Sequence, residues 1–160
     1  MTSSGGPPAG ATHTPHLPPG GQRRRLTLVG VRGQVARGRD FTRQALLDWY
    51  GIQSGDSHDQ STADDVLLLV SELLANAVMH AGGPQELLLH ATPDLLRVEV
   101  PDMDPAVPER RTPHRPGVPG GHGLHIVERL SDHWGVTSWE GGKTVWLEID
   151  SARLAPTADR

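Results

Sequence analysis

Glu72, Asn76 and His80 follow one another at intervals of four in the stretch SELLANAVMHAGG, residues 71–83. Four residues make about one helical turn, so the carboxylate and the amide lie side by side on one helix face. Two such oxygens suit one hydrated Mg²⁺, which keeps several waters and takes only one or two protein ligands. Their lateral neighbours are Leu68, Leu69, Ala75 and Met79, and no Lys or Arg occurs between Arg43 and Arg97. A carboxylate so placed has no local counter-charge, and needs a cation, a water to polarise, or a raised pKa. The competing reading is a polar stripe that pairs with arginines from elsewhere in the fold. Taken alone, the helix favours the second.

The elements that position these residues follow from periodicity. Val66, Leu67, Val70, Leu73, Leu74, Ala77, Val78 and Ala81 share one arc, the expected core face of a helix from about Ala63 to Ala81. Ser61 or Thr62 would cap it, Asp64 and Asp65 would fill its first turn, and Gly82-Gly83 would end it. Upstream, a strand is expected around Arg25–Val31, ended by Gly33, then a helix from Gln34 to Tyr50 stopped by Gly51. Downstream, QELLLHA and LLRVEVPD read as a hairpin, LHIVERLSDHW as a helix, and WGVTSWE with KTVWLEID as a closing hairpin around Gly141-Gly142. Hairpin-linked strands with their helices gathered on one face predict an α/β two-layer sandwich, with a mostly antiparallel mixed sheet.

Two further features bear on the pair. The second strand of the central hairpin ends in Asp102, and the stretch MDPAVPERRTPHRPGVPGGHG follows with five prolines and four glycines, read as a mobile loop. It leads into GGHGLHIVERL, where closely spaced glycines open a helix, so that main-chain N–H groups and the helix dipole could cradle an anion. A glycine-rich turn alone is weak. In order with a metal-competent Glu/Asn pair, an acidic strand end and a long loop, it is much harder to obtain by chance.

Composition narrows the classes. With 15 Lys+Arg against 19 Asp+Glu the net charge is −4, which lacks the electrostatic footprint of a nucleic-acid binder. There are no cysteines, so disulfides, cysteine-ligated zinc and thiol nucleophiles are excluded. No apolar run approaches the roughly 18 residues of a membrane span, and a cytosolic protein is expected. Residues 1–22, rich in Gly, Pro, Ser and Thr, read as a flexible tail, residues 23–150 as one domain, and residues 151–160 as a frayed end.

The sequence resembles the GHKL ATPase superfamily, the fold of histidine-kinase catalytic domains, Hsp90, gyrase and MutL. Within it, the stand-alone anti-sigma-factor serine kinases of the RsbW and SpoIIAB type are most similar. ELLANAVMHA matches the family's N box, VPDMDPAVPERR its acidic box, GGHGL its glycine box and GGKTVW its closing strand, so the likeness covers about residues 25–150. It implies an ATP/ADP site with Mg²⁺ held by Asn76, and Glu72 orienting or deprotonating the attacking hydroxyl or water. It implies that Asp102 accepts a hydrogen bond from the adenine amino group, with Thr144 beside it. Gly121 and Gly123 would let the loop and the helix start near Leu124 cover the phosphates, under an ATP lid from about Met103 to Gly120. Arg110, Arg111 and Arg115 on that lid would screen phosphate charge. Asp104 and Pro101 depart from the family pattern and bear on nucleotide affinity; a metal trio of His80, His122 and His125 is disfavoured.

The function implied is that of an anti-sigma factor. It would bind an alternative sigma factor, phosphorylate a Ser or Thr on an anti-anti-sigma partner of STAS fold, and form a homodimer, with no direct contact to nucleic acid. Two alternatives remain at this stage. One is a non-catalytic module that binds nucleotide only to switch partners; the other is a histidine-kinase catalytic domain, for which residues 1–22 supply no dimerisation helices.

Overall fold

A computed structural model describes residues 14–53, 58–80, 82–104 and 122–154. The order is β1 (Gln22–Thr27), α1 (Gln34–Tyr50), α2 (His58–His80), β2 (Glu86–Ala91), β3 (Leu95–Asp102), α3 (His122–Leu130), β4 (His133–Trp139), β5 (Gly142–Asp150) and α4 (Ser151–Leu154). The strands form one sheet in the order β1-β2-β3-β5-β4, antiparallel at every pairing and not mixed. This is the expected α/β two-layer sandwich.

Period-two alternation divides the sheet. Leu87, Leu89, Leu96, Val98, Val100, Val145, Leu147 and Ile149 point to the helical layer and are buried there with Leu46, Leu69, Leu73, Leu74 and Val127. The other face carries charge that it neutralises locally. Arg97 donates to Glu99 at 2.8 Å and to Glu148 at 3.0 Å, and its guanidinium stacks 4.2 Å from the Trp146 ring centroid. Gly135 lies opposite Trp146, and any Cβ there would run into the indole.

Helix α1 is the element expected, ended by Gly51 at φ 68°. It is locked to β1 by Arg24, whose guanidinium donates to Asp48 at 2.9 Å and stacks over Trp49, and by Trp49 Nε1 donating to Gln22 at 2.6 Å. Strand β1 therefore starts before Arg25, and it stops at Thr27 rather than Val31 because Gly30 turns at φ 71°. Within the stretch that composition assigns to a tail, the His16 amide donates to the Asp48 carbonyl at 2.8 Å and Leu17 packs on the core. At the other end Leu154 is fully buried, so α4 docks where fraying was expected. Asp132 anchors it, accepting from the Asp150 amide at 2.8 Å and from Arg153 at 3.0 Å. Burial opposes ionisation of that carboxyl, yet the two donors hold it below its ordinary range.

Helix α2 is longer than expected. It begins at His58, so Thr62 lies inside the helix and caps nothing, and no Gly or Pro between His58 and Ala63 stops the chain from continuing it backwards. Its buried arc is also wider. Leu69 is fully buried although it was placed at the side, because α2 packs against α1 and α3 as well as the sheet; Val78 is 45% exposed instead of in the core. Ala81 falls outside the described residues.

Tyr50 is buried with its hydroxyl unpartnered among the described residues, and burial pushes its pKa up to about 12. An unfolded tyrosine ionises near 10, so the folded state holds the proton longer. Stability contributed by this group is complete below pH about 10 and is lost as pH rises towards 12. Tyr50→Phe is expected to be as stable as the parent at pH 7 or more so, by up to about 1 kcal/mol, and to lose less stability between pH 10 and 12. Thermal melts at both pH values check this.

Candidate functional site

The chain leaves α2 through two left-handed glycines, Gly82 at φ 71° and Gly83 at φ 112°, and the Gly83 amide returns to the Ala77 carbonyl at 2.9 Å. Pro84 then forms an isolated bridge with Asp102, and the Gln85 amide donates to the Pro101 carbonyl at 2.9 Å. The exit of the helix that carries Glu72 and Asn76 is thereby stitched to the strand end that carries Asp102. Helix α3 packs on α2.

Glu72 and Asn76 are both half-buried. Among the described residues, neither side chain makes a hydrogen bond or an ion pair, with an arginine or with anything else. The ion pairs that described arginines form lie elsewhere: Arg24 on Asp48, Arg25 on Glu86, Arg43 on Asp40, Arg97 on Glu99 and Glu148, Arg153 on Asp132. A carboxylate and an amide at adjacent turns, half withdrawn from water and unpaired, form a donor set of the kind a hard divalent cation takes. No group of three or more His, Asp or Glu suited to a metal occurs among the described residues.

Asp102 is 2% exposed and Lys143 is 4% exposed. They face each other across β3 and β5, with Lys143 Nζ donating to Asp102 Oδ1 at 2.9 Å and to the Asp104 carbonyl at 2.7 Å. The Asp104 amide donates to the same Oδ1 at 2.9 Å. Thr144, expected beside Asp102, is paired instead with Pro101 and Thr137 on the opposite face of the sheet. Alternation decides this, because Val145, Leu147 and Ile149 point inwards and residue 143 is in phase with them whereas residue 144 is not. The same alternation in KTVWLEID was the signal that could have found Lys143.

Gly123 and Leu124 lie within the first turn of α3, which begins at His122, and Leu124 is buried against the helical layer. Gly121 and the lid expected from about Met103 to Gly120, with Arg110, Arg111 and Arg115, fall outside the described residues except at Met103 and Asp104. A cavity of about 710 Å³ between Val31, Val35, Arg39 and Val78 sits at the start of α1 and includes none of these groups.

Gly142, where β5 begins, tolerates no side chain. A Cβ there would collide with the Asp102 carbonyl oxygen and the Trp139 indole. Gly142→Ala is expected to cost about 1–3 kcal/mol through forced main-chain movement, roughly 2–12 °C in a thermal melt.

The antiparallel sheet is covered on one face by helices, with a buried carboxylate at a central strand end and, among the described residues, an unpaired Glu/Asn pair on the adjoining helix. The model of the family described as histidine kinase-like ATPase domain matches residues 34–149, and the chain belongs to that family. Among solved structures, the RsbU and RsbW domains of Rv1364c from Mycobacterium tuberculosis are similar at 19% identity and TM-score 0.51, over 80% of this chain and 32% of that one. The histidine kinase domain of a blue-light activated kinase from Erythrobacter litoralis is similar at 25% identity and TM-score 0.45, over 76% and 61%. The chain thus spans about a third of the first structure and three fifths of the second. No curated protein matches.

Proposed function

We propose that this ATPase-family domain is an anti-sigma regulator. It binds Mg-ATP and phosphorylates a Ser or Thr on an anti-anti-sigma partner of STAS fold, and it also engages an alternative sigma factor as a homodimer. The observation that carries the reading is the half-buried Glu72/Asn76 pair, which has no partner among the described residues. Bound Mg²⁺ would neutralise charge on the transferring phosphoryl group. Asn76 would hold the ion through its amide oxygen. Glu72, one turn away, would accept the proton of the partner's hydroxyl as its oxygen bonds to the γ-phosphorus and the bond to the bridging oxygen of ADP breaks. Asp102 would hold the adenine amino group, and Gly121 and Gly123 would let the loop and the helix start near Leu124 cover the phosphates.

Little covalent chemistry is asked of the protein, so positioning and charge account for most of the rate. Incubating the chain with γ-³²P-ATP and its cognate STAS protein tests this. Label is expected on a serine or threonine of the partner. Tight ATP binding without transfer to that partner would leave a nucleotide-dependent switch and remove the kinase.

A further inference from the structure

Lys143 is the chain's single lysine, and it is nine-tenths buried beside the residue proposed to hold adenine. A buried ion pair gains little over apolar side chains of the same size, so stability alone does not account for it. Its geometry is directional. Asp102 Oδ1 receives both the Lys143 ammonium and the Asp104 amide, which fixes the plane of the carboxylate. Among the described residues no hydrogen bond reaches Oδ2, and Oδ2 is not sealed in, since the only enclosed orphan side-chain polar atom there is the Tyr50 hydroxyl. An ammonium has three protons. Two are directed to Asp102 Oδ1 and the Asp104 carbonyl, and the third has no acceptor among the described residues.

We propose that Lys143 and Asp102 read the nucleotide base together: Oδ2 of Asp102 accepts from the exocyclic amino group, and the third ammonium proton of Lys143 goes to the adjacent ring nitrogen, N1. This rests on the ATP reading above and adds a second reading group to it. Adenine offers a donor and an acceptor side by side, and the pair offers an acceptor and a donor in matching order. Guanine offers the reverse, a carbonyl oxygen towards the carboxylate and an N1–H towards the ammonium, so both contacts turn repulsive. Selection at two points is steeper than selection by the carboxylate alone.

The test compares Mg-ATP with its 1-deaza analogue, in which N1 is a C–H group, by titration calorimetry. Wild-type protein is expected to bind ATP about tenfold more tightly, the weight of one hydrogen bond from a charged donor. Equal affinity overturns the role of Lys143, while uptake of neither nucleotide overturns the ATP reading itself. In Lys143→Met the ratio between the two ligands is expected to fall to about one, whatever the loss in absolute affinity. A misplaced Asp102 or a partly unfolded sample weakens both ligands alike, so a ratio that stays near tenfold in the variant also overturns the proposal. Should the Met variant not fold, the wild-type ratio decides.

Discussion

Asn76→Ala is expected to weaken Mg-ATP binding by about 10–100-fold, the range seen when a ligand shell loses one member, and to leave the fold intact. The reason is local. The amide is half-buried and has no partner among the described residues, so its removal breaks no internal hydrogen bond and orphans no buried group. A thermal melt of the variant without nucleotide should therefore match the parent. Calorimetry of the parent without the divalent ion should resemble the variant with it. If Asn76→Ala binds Mg-ATP as the parent does, the metal does not sit at this turn of α2, and the assignment of Glu72 falls with it.

Glu72→Gln keeps the shape and removes the base. Transfer of label to the STAS partner is expected to fall by about 10²–10⁴-fold, the weight of general-base assistance, while Mg-ATP affinity changes only a few-fold. The split between rate and affinity is what distinguishes a base from a ligand. A variant that loses affinity and keeps its turnover would exchange the roles of the two residues.

Both side chains were visible in the sequence because helical spacing is regular, and an acid with no arginine within reach stands out against an apolar background. The sandwich was legible for the same reason: Gly51 and Gly82-Gly83 end their helices, and alternation in LLRVEVPD sets one face inwards. The start of α2 was not legible, since polar residues before Ala63 serve equally as a cap or as exposed helix. Nor were the single contacts that Leu17 makes with the core and His16 with Asp48. Thr144 was misplaced by one position, and one position in a strand exchanges the faces of the sheet. Lys143 was passed over because a lone lysine reads as solvated until a register gives it a neighbour.

The two faces of the sheet should answer differently to ionic strength. Arg25 with Glu86 and Arg97 with Glu99 and Glu148 are partly open to water, so added salt shields them from one another and relaxes that face. The contact between Lys143 and Asp102 is almost wholly withdrawn from water, so added salt screens it far less. Concentrated salt would then dull attraction for the triphosphate tail without blurring the choice of base.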